Sequence, residues 1–183
     1  MADEKVPIHY VSTRDQARDL IARHDRFWVW NCGCREGRGK CERSRHDVCL
    51  TFEIGEDGDG PPATELSRLE VESILQDAME KKLVARPFRE PGSRTETAGI
   101  CFCCDDCCGY FVNPAEEACD RGSLIEATDW DECTHCGVCA SVCYFGARKK
   151  GERDMTVNRD LCYGCGLCAD TCPETVIEMV VRA

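Results

Sequence analysis

The stretch DECTHCGVCASVC, residues 131–143, recurs 29 positions later as DLCYGCGLCADTC, residues 160–172. Seven of the thirteen positions are identical, and each copy has the spacing C-x2-C-x2-C-x3-C. This doubled spacing decides the fold of the C-terminal part of the chain. Its cysteines are Cys133, Cys136, Cys139 and Cys143 in the first copy, and Cys162, Cys165, Cys168 and Cys172 in the second.

The spacing has a physical reason. Three cysteines separated by two residues, in a tight loop, can turn three thiolates toward one iron–sulfur cube, and Gly137 and Gly166 allow the backbone to turn closely. The fourth cysteine points out of its own loop and reaches the other cube. Zinc is the alternative metal, although zinc sites normally use paired C-x2-C knuckles. The predicted ligand sets are Cys133, Cys136, Cys139 with Cys172, and Cys162, Cys165, Cys168 with Cys143.

In this doubled motif the chain resembles the bacterial ferredoxins with two four-iron clusters. The resemblance covers roughly residues 124–182 and implies two [4Fe-4S] clusters. It also implies a strand at 124–127, a strand at 155–157, and a strand at 176–181 that pairs with the first. Two short helices should follow Cys139 and Cys168.

Two residues of the motif stand out against the family pattern. Pro173 follows Cys172 as the family expects, but Tyr144 follows Cys143 where a second proline is expected. This loosens a turn and removes no ligand. His135 lies between Cys133 and Cys136, and we interpret it as a neighbour of the cluster that replaces no thiolate.

The composition favours a reducing compartment. Eighteen of the 183 residues are cysteine. The N-terminus shows no secretory signal, and no apolar run approaches the ~18 residues that span a bilayer. We therefore expect a cytoplasmic protein, where thiols stay reduced and clustered cysteines usually bind metal.

The chain is acidic, with a net charge of −11. Phosphates repel such a chain, so nucleic acid is a poor candidate ligand. The charge suits a redox partner with a basic docking face, and mere solubility is the alternative explanation.

Ten cysteines lie outside the doubled motif. Because neighbours such as Cys103 and Cys104 tend to point apart, one segment can feed two sites. We predict one or two additional [4Fe-4S] clusters with ligands from two groups of cysteines; a zinc site and a redox-active dithiol or disulfide relay are the alternatives. Cys119 is interpreted as a spare thiol. The candidate ligands are Cys32, Cys34, Cys41 and Cys49 in one group, and Cys101, Cys103, Cys104, Cys107 and Cys108 in the other.

The surroundings of these cysteines give two further signals. Five cationic residues between 35 and 45 favour thiolates, or dock an acidic partner or an anionic substrate. His46 is a further candidate ligand, with an ordinary exposed histidine as the alternative. The patterns C-x-C-R at 32–35 and C-x-C-C-x2-C-C at 101–108 look somewhat like the cysteine-rich extensions fused to ferredoxin modules in anaerobic bacteria.

Helical signals occur on both sides of the first cysteine group. A capping box at Thr13 predicts a helix over 13–24, and apolar spacing predicts another over 65–83. The mixed charges of the second helix argue against a DNA reader. Residues 27–30 form an alternating run, which predicts either a strand or an apolar wall. Turn-rich segments at 53–62 and 88–99 are predicted loops.

Together these signals predict an α+β protein of two parts. Residues 1–122 form a mainly helical, cysteine-rich metal-binding region, and residues 123–183 form a two-cluster ferredoxin-type domain. The expected function is an electron carrier, or the electron-transfer subunit of a larger oxidoreductase. The alternatives are a small iron–sulfur or dithiol oxidoreductase with a substrate-binding centre near Cys101–Cys108, and an iron or redox sensor.

Overall fold

The structure is a computed structural model and describes residues 6–54, 62–113 and 119–182. All eighteen cysteines lie in these ranges and are free thiols. Most of the loop predicted at 53–62 falls outside the described residues. The fold mixes helices and strands, as the α+β prediction requires. In the ranges described, no helix has the length and apolar character needed to cross a membrane.

The N-terminal region is built on a sheet, so the prediction of a mainly helical region was wrong. The reason lies in stretches such as VCLT (48–51) and ICFC (100–103), where apolar side chains alternate with thiol or hydroxyl side chains. A period of two favours a strand with one face in the core. Within the described ranges the strands are β1 (His9–Tyr10), β2 (Phe27–Asn31), β3 (Asp47–Thr51), β4 (Thr64–Leu66), β5 (Val84–Arg89), β6 (Thr97–Cys103) and β7 (Cys119–Asp120).

These strands form one sheet in the order β4-β2-β3-β6-β5-β1-β7. Neighbouring strands are antiparallel, except that β1 and β7 run parallel. The register places Cys49 opposite Cys101, and Cys101 opposite Arg86. Two cysteines and an arginine that are distant in sequence therefore stand side by side on β3, β6 and β5.

Two helices cover one face of this sheet. The predicted capping box exists at Thr13. A second capping box, which was not predicted, lies at Ser67 and starts the second helix later than expected, because residues 64–66 are a strand. Leu50, Ile100 and Phe102 pack against both helices in the main core, which leaves alternate cysteines of β3 and β6 on the opposite face. The N-terminal helices are α1 (Arg14–Ala22), α2 (Gly33–Arg38), α3 (Arg68–Glu80) and α4 (Gly109–Val112).

The C-terminal part has the strands that the doubled motif predicted. The last strand pairs antiparallel with the strand that begins at Leu124, which confirms that prediction. A second hairpin joins residues 148–150 and 155–157, and a 3₁₀ turn covers Arg159–Leu161. The elements are β8 (Leu124–Thr128), α5 (Val138–Ser141), β9 (Arg148–Lys150), β10 (Met155–Val157), α6 (Leu167–Asp170) and β11 (Ile177–Val181).

The 29-residue repeat is also a repeat of backbone conformation. Helix α6 lies 29 residues after α5, and β11 begins 29 residues after β9. Left-handed backbone positions recur at the same offset, and His135 adopts φ of +53° because it occupies the position that Gly164 occupies in the second copy. The matched left-handed pairs are Gly137 with Gly166, His135 with Gly164, and Gly146 with Thr175.

Gly164 is the position where this backbone tolerates least change. It has φ of +80°, and a Cβ there would collide with the carbonyl oxygen of Leu124, whereas Gly146 has φ of +68° and open space around it. Gly146→Ala should cost about 1–2 kcal/mol from the left-handed conformation alone. Gly164→Ala should cost about 1–3 kcal/mol more through overpacking. Anaerobic thermal unfolding of both variants checks this, and equal midpoints would contradict the close approach to β8.

The two parts of the chain pack directly against each other. Val11 and Val84 from the N-terminal region share an apolar cluster with Val142 and Leu167. Arg14 and Asp170 form an ion pair at 3.3 Å, at the start of α1 and the end of α6. The sheet and the C-terminal part therefore hold their cysteines in a defined relation.

Candidate metal centres

The eight cysteines of the doubled motif line two separate cavities. The first, cavity A, includes Cys136, which is exposed. The second is cavity B. Each cavity takes three cysteines from one copy of the motif and one from the other. Cavity A is lined by Cys133, Cys136, Cys139 and Cys172, and cavity B by Cys143, Cys162, Cys165 and Cys168.

The cavities are related by the repeat but differ in two lining residues. Met155 and Ile177 line cavity A, and their counterparts Glu126 and Arg148 line cavity B. Glu126 and Arg148 form a buried ion pair, with side chains 5% and 2% exposed. Nη1 of Arg148 also donates to Cys139 Sγ at 3.5 Å. One cavity is therefore apolar where the other is charged, and the ion pair lies between the two cysteine sets.

Burial controls the electrostatics of cavity B. It raises the pKa of Cys168 to about 11 and also raises the pKa of Cys165. Arg148 shows the opposite effect of burial, which acts to lower its pKa. The nearby charges of Cys168 and Glu126 outweigh burial, so the pKa of Arg148 is raised overall. Thiolates in this cavity therefore need a positive charge beside them, which a bound metal supplies.

The two unusual residues of the motif make ordinary packing contacts. His135 Nδ1 accepts the backbone N–H of Met155 at 3.1 Å, and the imidazole stacks on Trp130. The structure therefore places His135 beside the first cysteine loop with Nδ1 in use. Tyr144 packs edge-on against Phe111 with centroids 5.9 Å apart, so it fills the space between the two parts of the chain.

Six of the front cysteines lie near one another, and we call this group the six-thiol ring. They come from the start of α2, from β3, from β6 and from the start of α4, so the group spans 76 positions of sequence. Cys49 Sγ and Cys101 Sγ are 3.7 Å apart. The members are Cys32, Cys34, Cys49, Cys101, Cys103 and Cys108.

Three other front cysteines converge separately, at the three-thiol site of Cys41, Cys104 and Cys107. Cys104 Sγ lies 3.6 Å from Cys41 Sγ and 3.4 Å from Cys107 Sγ. All three sulfurs lie within 4.8 Å of one another, and no other trio of candidate ligand atoms in the described residues is as compact. Burial raises the pKa of Cys107.

Two buried arginines direct N–H groups at these thiols. Arg86 is 1% exposed, and its Nη1 donates to Cys108 Sγ at 3.0 Å and to Cys103 Sγ at 3.8 Å. Burial acts to lower the pKa of Arg86, but the charges of the ring cysteines raise it. Arg35, also 1% exposed, donates to the carbonyl of Phe102 at 2.9 Å and approaches Cys104 Sγ at 3.9 Å.

Sequence reasoning treated Arg35 as one of several cations and did not identify Arg86 or His9. His9 Nε2 lies 3.9 Å from Cys101 Sγ, and burial, with the charge of Arg86, lowers the pKa of His9 to about 4. The burial of Arg35 has a sequence signal, since it follows C-x-C directly. Arg86 and His9 have none, because only the pairing of β5 and β1 into the sheet brings them to the ring.

An aromatic cluster connects the six-thiol ring to cavity B. Arg86 stacks on Tyr110 at 4.5 Å, and Tyr110 contacts Tyr163 with centroids 6.0 Å apart. Phe145 stacks on Tyr163 at 4.5 Å, and both line cavity B. Phe111 contacts Tyr110 and Phe145 in the same cluster. A chain of side-chain contacts thus runs from the six-thiol ring to cavity B.

Residues 132–176 match the model of a family described as the 4Fe-4S dicluster domain. This segment holds all eight cysteines of the doubled motif and about a quarter of the chain. A comparison with curated proteins found no match. Residues 132–176 therefore form an iron–sulfur, ferredoxin-like module whose cysteines line cavities A and B.

Proposed function

We propose that this chain is an electron-transfer protein whose module, in a domain of residues 123–183, holds two [4Fe-4S] clusters. The observation that carries the proposal is the crosswise grouping of eight cysteines around two cavities. Clusters bound there supply one-electron chemistry. Three features fit a [4Fe-4S] cluster: the sulfur donors, the tight glycine turn at each loop, and the arginine N–H on Cys139 Sγ.

The side chains around the cavities would tune and insulate these sites. Met155 and Ile177 give cavity A an apolar wall, and the ion pair of Glu126 and Arg148 places fixed charges between the cavities. Burial and local charge are the protein's means of setting a cluster's potential. The aromatic cluster gives a continuous packed connection from cavity B to the front cysteines, which we propose hold further metal in a region of residues 1–122.

The exposed edge of cavity A is the proposed docking site for a redox partner. Cys136 is exposed there, and Trp130 is 43% exposed nearby. Asp131 and Glu132 are exposed beside the first ligand loop and add negative charge. A partner with a basic docking face, for example a larger oxidoreductase, matches this edge. A cytoplasmic location belongs to the same proposal, because cysteines that bind metal must stay reduced and the cytosol keeps thiols reduced.

The dithiol alternative is less well supported. A thiol that attacks a disulfide must be accessible, but Cys103, Cys104, Cys107 and Cys108 are between 0% and 7% exposed. They point inward toward other thiols and buried arginines, which suits metal binding better than an exchange reaction with a substrate.

The crosswise grouping can be tested by pairs of substitutions. Wild-type protein purified without oxygen should hold about eight irons in the module, and Cys143→Ala should remove about four. Cys143→Ala with Cys165→Ala, both in cavity B, should remove no more than either single change. Cys143→Ala with Cys136→Ala, in different cavities, should remove about eight.

Iron and sulfide analysis gives the answer, and reduction by dithionite in the absence of a substrate should accompany it. If instead the pair Cys136 and Cys143 behaves as one cluster, the ligand sets follow the two sequence copies and the crosswise proposal fails.

A further inference from the structure

At two places in the front region, two consecutive cysteines belong to different groups. Cys103 belongs to the six-thiol ring and Cys104 to the three-thiol site, and likewise Cys108 belongs to the ring and Cys107 to the three-thiol site. Cys103 ends β6, where its side chain lies on the face away from the helices, and the next residue turns into the main core. The backbone therefore sends neighbouring thiols to two different places.

The three-thiol site has the spacing of a single tetrahedral ion. A zinc–sulfur distance of about 2.3 Å places the sulfurs of a tetrahedral site about 3.8 Å apart. The measured separations of 3.6 and 3.4 Å are close to that value. Three thiolates on different irons of a cube point away from its centre and cannot all lie this close together, so the convergence of all three sulfurs within 4.8 Å is too compact for a cube.

The three-thiol site lies next to an open cleft. Cys41 is half-buried. Its neighbours Glu42 and Arg43, and the residues Asp105 and Asp106 between the other two thiols, line this cleft. Three thiolates with a water molecule in the fourth position are a known coordination set for zinc.

The six-thiol ring has the opposite character. Cys49 Sγ and Cys101 Sγ are 3.7 Å apart, but no three members of the ring, all of whose residues are described, converge within 4.8 Å. The ring is therefore too wide for one ion to reach all its members. Six sulfur donors in one group fit a polynuclear iron–sulfur cluster, since soft thiolates select iron–sulfur and zinc centres.

The charge of Arg86 supports an anionic occupant of the ring. Within the described residues, the hydrogen-bond partners of its side chain are the sulfur atoms of Cys103, Cys108 and Cys119. A buried cation without an anionic partner carries a large desolvation cost, and a neutral thiol is a weak acceptor. A metal-bound set of thiolates supplies the missing negative charge.

We infer that the nine front cysteines form two centres of different kinds. The six-thiol ring binds one polynuclear iron–sulfur cluster, and the three-thiol site of Cys41, Cys104 and Cys107 binds a single zinc ion. The inference rests on the proposed function, because it specifies the additional metal that the proposal places in residues 1–122.

The consecutive pairs provide matched variants for the test. Zinc, iron and sulfide are measured on the full chain purified without oxygen from cells supplied with both metals. Cys104→Ala and Cys107→Ala should each lose one zinc and keep all iron and sulfide. Cys103→Ala and Cys108→Ala should keep the zinc and lose the iron and sulfide beyond the eight irons of the module. Cys41→Ala, at the half-buried thiol, repeats the zinc test with the least disturbance of the core.

The outcomes separate this inference from the proposed function. If the wild type has the eight irons of the module but no zinc, or no additional iron, the inference fails and the proposed function stands. Loss of the same metal from Cys103→Ala and Cys104→Ala also overturns it. A module without its eight irons contradicts the proposed function itself.

Discussion

Arg86→Met is expected to remove the iron and sulfide that the six-thiol ring binds, and to leave the eight irons of the module in place. Arg86 is 1% exposed and its Nη1 lies 3.0 Å from Cys108 Sγ. Removing one partner of a buried charged pair typically costs about 3–5 kcal/mol, because the remaining charge stays buried without compensation. In Arg86→Met, the negative charge of the metal-bound thiolates would stay buried without a compensating cation, and this cost would destabilise the loaded ring.

The result is measured as iron and sulfide per chain, together with the midpoint of anaerobic thermal unfolding. Arg86→Lys keeps the charge but loses the planar fork of donors, so it should retain part of the additional iron. Arg89→Met is the matched control three residues along β5, since Arg89 pairs with Asp120 at 2.9 Å and has no ring thiol as a hydrogen-bond partner among the described residues. Full iron and an unchanged midpoint in Arg86→Met would refute the role given to this cation.

The module was predictable from sequence because its determinants are local. Three ligands of each cavity lie within seven residues of chain, and the short helices and hairpins follow from the same spacing. The repeat also explains the crosswise fourth ligand, since two copies of one backbone conformation facing each other bring Cys143 and Cys172 to opposite cavities.

The front region was less predictable because its determinants are long-range. The region was predicted to be mainly helical, although ICFC at 100–103 alternates as a strand does. Nine cysteines within a few segments indicate metal but not a grouping, because the grouping depends on strand register. The pairing of Cys49 with Cys101 joins β3 and β6 across 52 positions.

The second large effect concerns the ion pair between the two cavities. Glu126→Met should leave Arg148 buried without its carboxylate, and Arg148→Ile should leave Glu126 buried with the exposed Arg159, at 3.8 Å, as its remaining ion-pair partner. Each single change should destabilise the loaded protein by about 3–5 kcal/mol. For a chain of this size that corresponds to a fall of roughly 10 °C in the thermal midpoint.

The repeat supplies the matched double variant. Met155 and Ile177 occupy the positions in the first cavity that Glu126 and Arg148 occupy in the second. Glu126→Met with Arg148→Ile therefore installs an apolar pair that this backbone already accommodates. Replacing a buried ion pair by well-packed apolar residues is often neutral or stabilising. The double variant should thus recover most of the stability that either single change loses.

The same double variant removes the charge difference between the cavities. Arg148 donates to Cys139 Sγ and raises the local positive potential near Cys168, and neither effect remains after the substitution. We expect the two reduction potentials of the module to move closer together, which redox titration followed by electron paramagnetic resonance can measure. If the double variant is as unstable as the sum of the single variants, the cost lies in packing and not in the unpaired charge. If its two potentials stay as far apart as in the wild type, the ion pair does not set the asymmetry of the module.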